Sequence, residues 1–311
     1  MTVQILQFGT TGQLGTELLR QAPSHDVTIT ALGRAEADLS NPAACAAQVR
    51  RLKPQVVVIA AAHTAVDLAE SEVELAHAIN ATSPGAIAEA GAEVGAAVIN
   101  VSTDYVFDGE GGAPYAEDAP TNPLNAYGRT KLAGEQAVAA ANPRSLSIRA
   151  SWVVSAHGKN FIKTMLRVAA AGNPLKVVDD QSGRPTAAAD LAGFILQIAA
   201  KLAAAKAGDP RFGVVHFANS GEVTWRDFAI EIFAQALGDK APDVGAQKTA
   251  DYVTPARRPL RATMDLSRLA QDFGVTPRHW KDALSDIIRE LSPSPDRHPG
   301  FAAGEDRDDS R

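Results

Sequence analysis

Short apolar runs alternate with longer stretches rich in Ala, Leu, Glu and Gln through the first half of the chain, and this alternation restricts the fold more than any other feature. The strand candidates are 3–8, 27–32, 56–60, 97–101 and 145–150; between them 14–21, 43–52, 66–95 and 126–141 read as helices. Regular strand–helix alternation builds a parallel sheet with helices on both faces, a doubly wound α/β fold. Val56-Val57-Val58-Ile59 is apolar at every position, as a strand covered on both faces must be. The second half is less regular. Helices are expected at 161–171, 187–206 and 224–237, short strands at 175–178 and 214–217, and loops at 179–185 and 241–259.

The first loop carries Gly9-Thr10-Thr11-Gly12-Gln13-Leu14-Gly15, between the first strand and the first helix. Gly9 suits a tight turn, Gly12 a close approach of backbone to a pyrophosphate, and Gly15 close packing of helix on strand. The free N–H groups of the helix start then face an anion. Three glycines at this spacing mean little alone; after the first strand of an α/β pattern they indicate a Rossmann-type dinucleotide site. The second strand ends Ala31-Leu32-Gly33-Arg34, without the acid that would accept from a ribose 2′-hydroxyl. Arg34 suits a 2′-phosphate or is simply a solvated loop charge, and the pattern leans toward NADPH, with NADH as a second cofactor. Asp38 and Leu39 fall where they would border the adenine. The expected organisation is a dinucleotide-binding core over 1–150, extended by parts of 187–217. A smaller substrate-binding region spans 151–186 and 218–292, and a disordered tail runs over 293–311, too polar and Pro-rich to order itself.

Tyr127 and Lys131 stand four apart in a helical stretch, so they share a face. An ammonium beside a phenol favours the phenolate, lowering a pKa of about 10. A tyrosine so tuned passes a proton to a carbonyl oxygen while a hydride reaches the carbon. The strand at 97–101 runs into Ser102-Thr103-Asp104, so the hydroxyl of Thr103 or Ser102 falls at a strand end, where ligands bind in open α/β sheets. Ala62, His63 and Thr64 end the third strand in the same way and should lie against the cofactor. His63 is not expected to be catalytic.

Composition excludes several classes. Net charge is −6 over 311 residues without a basic stripe, which argues against nucleic acid. Cys45 is the one cysteine, so no internal disulfide can form, and its Ala-rich setting suggests a buried thiol without a role. No apolar run is long enough to span a bilayer and no signal peptide is visible, so the cytoplasm is the expected compartment.

Taken in order, 9–15, 60–67 (Ala-Ala-Ala-His-Thr-Ala-Val-Asp), 102–107 (Ser-Thr-Asp-Tyr-Val-Phe), 127–131, 149–153 (Arg-Ala-Ser-Trp-Val) and 180–186 (Asp-Gln-Ser-Gly-Arg-Pro-Thr) resemble the dTDP-4-dehydrorhamnose reductases. These are extended short-chain dehydrogenase/reductases, and the likeness spans about residues 1–291. The resemblance implies NAD(P)H-dependent reduction of the 4-keto group of dTDP-4-dehydro-β-L-rhamnose. By motif it implies a catalytic triad of Thr103, Tyr127 and Lys131, and pyrophosphate contacts from Gly12, Gln13 and Leu14. It further implies cofactor contacts from Asp38, Leu39, Ala62, His63, Thr64 and Val101, and substrate contacts from Thr103, Asp104 and Trp152. A homodimer is compatible with it. The chain departs from the family pattern where Gly33 replaces a frequent Asp, and where 258–265 lacks the usual small polar pair after Arg-Pro. Members with magnesium at a dimer contact use glutamates, and 186–190 lacks one, so neither metal nor that dimer is carried over. Other readings are a different nucleotide-4-keto-6-deoxysugar reductase, an epimerase or dehydratase, or an NADP-binding regulatory subunit. The dehydratase reading fails on Asp104-Tyr105, which offers no Asp-Glu pair after Thr103.

Overall fold

The structure is a computed structural model, and it describes residues 2–112, 114–172 and 174–292. Six strands, β1 (Val3–Phe8), β2 (Val27–Leu32), β3 (Val56–Ile59), β4 (Ala97–Thr103), β5 (Ser145–Ala150) and β6 (Gly213–Phe217), form one sheet in the order β2–β1–β3–β4–β5–β6. Every pairing in it is parallel. The helices used below are α1 (Gln13–Gln21), α2 (Pro42–Leu52), α3 (Ser83–Val94), α4 (Ala126–Ala141), α5 (Phe161–Ala170), α6 (Ala188–Ala204), α7 (Trp225–Leu237), α8 (Ser267–Phe273) and α9 (Trp280–Leu291).

The two-residue period of a strand sorts β3 onto both faces. Val56 and Val58 pack with Leu14 and Leu18 of α1 and Leu191, Ile195 and Ile198 of α6. Val57 and Ile59 pack on the opposite face with Cys45 and Val49 of α2, Ile87 of α3 and Val138 of α4. Each such fully buried Val or Ile contributes roughly 1.5–3 kcal/mol, which is why a strand with no polar position sits at the centre of the sheet. Cys45 is buried in this layer, and burial pushes its thiol up, away from reactivity. Helix starts are written locally: Asn41 Oδ1 accepts from Ala44 N–H at 3.1 Å ahead of α2, and Asn125 Oδ1 from Gly128 N–H at 2.8 Å ahead of α4.

The helix expected over 66–95 is broken. A 3₁₀ turn (Leu68–Glu70), a short helix (Val73–His77) and a π-helical turn (Ala78–Thr82) precede α3. Pro84 has no N–H to offer the carbonyl of Asn80 four residues back. That carbonyl instead faces α4, where a Cβ on Gly134 would lie 2.0 Å from it. The Asn80 side chain turns inward, giving hydrogen bonds to the His63 carbonyl at 3.1 Å and to Thr130 Oγ1 at 3.1 Å.

Beyond β5 the chain builds a second apolar cluster from Ile162 and Met165 of α5, Phe228, Ile232 and Phe233 of α7, and Trp280, Leu284 and Ile287 of α9. The strand at Leu175–Val178 does not extend the main sheet; it pairs in parallel with Val244–Gln247, inside a stretch expected to be loop. α8 and α9 were not expected either. Among the described residues no helix is long and apolar enough to cross a membrane. The tail expected over 293–311 lies outside the described residues.

Candidate active site

The chain leaves β1 toward β2 on one side and reaches β3 on the other, so a crevice must open where these carboxyl ends diverge. A cleft of about 880 Å³ lies there. All the residues singled out from the sequence as cofactor, catalytic or substrate contacts line it: Gly9, Gly12, Gln13, Leu14, Gly15, Arg34, Asp38, Leu39, Ala62, His63, Thr64, Val101, Thr103, Asp104, Tyr127, Lys131 and Trp152.

The glycines divide the work as the spacing suggested. Gly9 has φ +99°, and a Cβ there would meet the Ala61 Cβ at 2.7 Å. A Cβ on Gly15 would lie 2.4 Å from the Gly9 carbonyl oxygen, so α1 sits directly on the loop. The buried Gln7 fastens this contact, its amide donating to the carbonyls of Gly9 at 2.7 Å and Gly15 at 3.0 Å. Around Gly12, by contrast, nothing lies within 4 Å of a Cβ, and no side chain caps α1. The first N–H groups of the helix are left open to the cleft, as an anion requires. The side chain of Gln13 is fully engaged elsewhere. Its amide donates to the Val153 carbonyl at 3.0 Å, and its oxygen accepts from Ser155 Oγ at 2.9 Å and Asn160 Nδ2 at 3.0 Å.

β2 ends without an acid, as read, but the turn that follows brings one back to its last residues. An acid is present: Glu36 folds back so that Oε2 accepts from Gly33 N–H at 2.9 Å. The spacing rule looked at the strand's last residue and missed a carboxylate returned by the following turn. Arg34 is exposed and lines the cleft. His63 is tied down by its backbone N–H donating to Asn80 Oδ1 at 2.8 Å, and its Nε2 lies 3.0 Å from Glu72. Its Nδ1 is buried with no partner among the described residues. Open helix N–H groups and this orphaned ring nitrogen fit a dinucleotide laid across the β1–β3 crevice.

Tyr127 and Lys131 occupy successive turns of α4, and both line the cleft. Here one expectation is corrected. Burial pushes the Tyr127 hydroxyl up to about 12, with the Thr103 hydroxyl beside it pulling the other way, and burial brings the Lys131 ammonium down to about 8. Enclosure penalises the charged form of both groups, and this outweighs any pull of the ammonium on the phenol. The two candidate hydroxyls of β4 also separate. Ser102 also lines the cleft, but its Oγ donates to Glu135 Oε1 at 2.5 Å, within a buried pair that Glu135 forms with Arg149. Thr103 Oγ1 stays with the site, donating to Asp104 Oδ1 at 3.0 Å and accepting from Tyr105 N–H at 3.2 Å. Desolvation raises the Asp104 carboxyl to about 7.

Trp152 has φ +45°, a left-handed conformation that is costly for a bulky residue and persists only where its surroundings enforce it. The enforcement is visible: the indole lies on Trp225 with ring centroids 3.4 Å apart and 9° between planes. Gly183 admits its edge, since a Cβ there would be 2.7 Å from Trp152 Cε2. One face expected to be free for a sugar is therefore taken by a second indole. Sequence reading missed Trp225, Tyr105, Lys159 and Asn160, all of which line the cleft. Tyr105 packs edge-on against Tyr127 at 5.8 Å and carried a signal in its place two residues after Thr103. Trp225 and Lys159 carried none without the fold.

Among the described residues Glu17, His157 and Glu290 bring ligand atoms within 4.8 Å of one another. They do not fit magnesium. Glu17 Oε2 accepts from Arg20 at 2.6 Å, placing a permanent cation on the cluster, and a hard ion prefers oxygen donors to the imidazole of His157. Asp190, in the segment without a glutamate, is forked by Arg278 at 2.8 and 2.9 Å.

A doubly wound sheet with an open anion-binding loop and a Tyr-Lys pair at its carboxyl edge defines a nicotinamide-dependent oxidoreductase of the short-chain dehydrogenase type. A profile described as the RmlD substrate binding domain matches residues 3–292. The dTDP-4-dehydrorhamnose reductase of Escherichia coli K12 is 43% identical over 299 residues, 93% of this chain and 98% of that protein. The one from Sinorhizobium fredii is 41% identical over 288 residues, 91% and 96% of the two chains. A solved dTDP-4-dehydrorhamnose reductase from Clostridium acetobutylicum superposes with a TM-score of 0.86 at 37% identity, covering 93% of this chain and 99% of that one. The Bacillus anthracis enzyme, solved with NADP, gives 0.87 at 31% identity, covering 93% and 100%. The chain belongs to the RmlD family.

Proposed function

We propose that this protein reduces the 4-keto group of dTDP-4-dehydro-β-L-rhamnose to give dTDP-β-L-rhamnose, using NADPH and accepting NADH. The observation that carries the reading is that Thr103, Tyr127 and Lys131 line one cleft together with the uncapped start of α1. When bound, a reduced nicotinamide supplies the hydride. Tyr127 supplies the proton to the forming alkoxide, and its high pKa suits this direction, because a donor must be protonated at working pH. Thr103 holds the carbonyl oxygen beside Tyr127. Lys131 stabilises the phenolate that remains and holds the nicotinamide ribose. Gly12, Gln13 and Leu14 receive the pyrophosphate on backbone N–H groups, while Gly9, whose own N–H is given to the Leu32 carbonyl, makes the turn, Gly15 seats the helix on it and the Gln13 side chain braces the loop. Asp38 and Leu39 border the adenine, and Ala62, His63, Thr64 and Val101 line the rest of the cofactor path. Asp104 and the Trp152–Trp225 pair meet the nucleotide sugar, within a substrate-binding region spanning 151–186 and 218–292.

The test offers purified protein several dTDP- and GDP-4-keto-6-deoxy sugars with NADPH, following loss of nicotinamide absorbance and identifying the product sugar. Turnover of the dTDP-linked rhamnose precursor is expected, with Tyr127→Phe slower by ~10²- to 10⁴-fold while NADPH still binds. Near-normal turnover by Tyr127→Phe sinks the mechanism. Copurification with a partner enzyme and no turnover of any keto sugar would favour a regulatory subunit.

A further inference from the structure

We propose that Glu135 is a positioning residue for the reduction, a carboxylate that fastens the helix of Tyr127 and Lys131 to the strand end of Thr103 and holds Lys131 as a cation. The proposal rests on the reductase reading above and adds a residue that touches neither ligand. Glu135 stands four residues beyond Lys131 on α4, and both side chains are buried. Positions at this spacing are neighbours on a helix face. The carboxylate reaches two strands of the sheet. Ser102, next to Thr103 at the end of β4, donates its Oγ to Oε1 at 2.5 Å. Arg149 of β5 gives its Nε to Oε1 at 3.0 Å and a terminal nitrogen to Oε2 at 2.8 Å. The helix that carries the proton donor is thereby tied to the residue beside the hydroxyl that holds the carbonyl oxygen.

The same carboxylate acts on Lys131 through space. Lys131 makes no salt bridge among the described residues, although it is buried. Burial pulls its ammonium down to about 8, and the charge of Glu135 is what resists this. The other titratable groups around it are His63 beyond β3, Asp104 and Tyr105 beyond β4 and Tyr127 on α4, all lining the cleft with Lys131, while Arg149 of β5 holds Glu135. Glu70 is taken by the Ala126 N–H and Arg129 at the start of α4, and His77 and Glu89 border a groove along Ala133 and Ala137 that Lys131 does not line. Glu135 is thus the one anion that supports the cation. Its removal leaves burial unopposed, so Lys131 gives up its proton at lower pH.

Glu135→Gln keeps the size and removes the charge, but strips Arg149 of its counter-charge. The double variant Arg149→Met/Glu135→Gln, in which neither charge is stranded, is therefore measured beside it, with thermal melts on both. Rates with the dTDP-linked keto sugar and NADPH are followed across neutral and alkaline pH. In each charge variant that folds, the alkaline fall of kcat/KM should move to lower pH by about half to one pH unit. Ser102→Ala loosens the tie and keeps the charge, so it should lower kcat by about tenfold without moving that fall. A fall unmoved in the charge variants, a wild-type rate flat at alkaline pH, or a Ser102→Ala enzyme with wild-type kcat overturns the proposal, and Glu135 is then only the buried counter-ion of Arg149, with the reductase reading intact. A wild-type chain that reduces no keto sugar sinks the reductase reading, and this proposal with it.

Discussion

Arg149→Met should cost the fold about 3–5 kcal/mol, far more than loss of a surface ion pair. The Arg149 side chain is 5% exposed, and so is that of Glu135. Its guanidinium gives Nε to Glu135 Oε1 at 3.0 Å, its second arm to Oε2 at 2.8 Å, and its third to the Glu117 carbonyl at 3.2 Å. It also lies 5.1 Å above the Phe107 ring. Methionine fills most of the volume but strands a carboxylate whose remaining side-chain contact is the Ser102 hydroxyl. Desolvation of that carboxylate, with only Lys131 of the same helix left as a nearby cation, is then the main penalty, beside the lost contacts to the Glu117 carbonyl and the Phe107 ring. Unfolding entropy of about 2.1 cal/mol/K per residue over a chain this long makes each kcal/mol worth about 1.5 °C, so the melting temperature should fall by roughly 5–8 °C. Urea unfolding gives the free energy directly. The double variant Arg149→Met/Glu135→Gln should recover part of the loss, since the stranded charge is gone. Refutation would be a single variant costing under about 1 kcal/mol, or a double variant costing the sum of the two singles. Either outcome means that the pair is solvated in solution and does not brace β4 and β5 behind the site.

The pH dependence should follow Lys131. With its ammonium brought down to about 8 and Tyr127 held near 12, kcat/KM for the keto sugar should fall as pH rises through about 8, as the cation is lost and well before the phenol ionises; a rate flat to pH 10 would show that Lys131 is not needed as a cation. Gly15→Ala places a methyl group 2.4 Å from the Gly9 carbonyl oxygen, so α1 must move off the loop. Overpacking of this kind costs about 1–3 kcal/mol, and dinucleotide affinity should drop with it; calorimetric titration showing unchanged affinity would mean that the loop does not receive the pyrophosphate.

Strand-and-helix alternation was enough to place β1, β2 and β5 to the residue, although Thr28 and Thr30 of β2 are exposed and β5 carries Ser145, Ser147 and Arg149; only β3 is apolar throughout, as a strand buried on both faces. Motif position was enough to bring the proposed site residues to one cleft, since the carboxyl ends of parallel strands face the same way whatever the loops do. Sequence reasoning failed where a contact is settled by a distant segment. The helix expected over 66–95 is interrupted at 71–72, and Pro84 falls just after a π turn in the run that follows, where the approach of Gly134 to the Asn80 carbonyl could not be read from sequence. The strand Val244–Gln247 holds a Gly and an Ala and reads as loop until Leu175–Val178 lies beside it. α9 is a different case: its buried positions 280, 283, 284, 287 and 288 follow helical spacing, and that signal was passed over. Glu36 was hidden by counting along a strand when the side chain returns through a turn. Tyr127 was misjudged because neighbouring charge is visible in a sequence and enclosure is not.

The three hydrogen bonds of the Gln13 side chain turn the glycine loop into a mechanical joint. They run to Val153, Ser155 and Asn160, which lie after β5, more than a hundred residues away along the chain. Any ligand that shifts the loop must carry these partners along or break their bonds, and Asn160 is also the residue whose side chain caps α5. By thermodynamic reciprocity, whatever free energy a dinucleotide lends to the fit of the sugar, the sugar returns in equal measure to the dinucleotide. The amide two residues before the last glycine of the loop thus belongs at once to the start of α1 and to the segment that leads into α5.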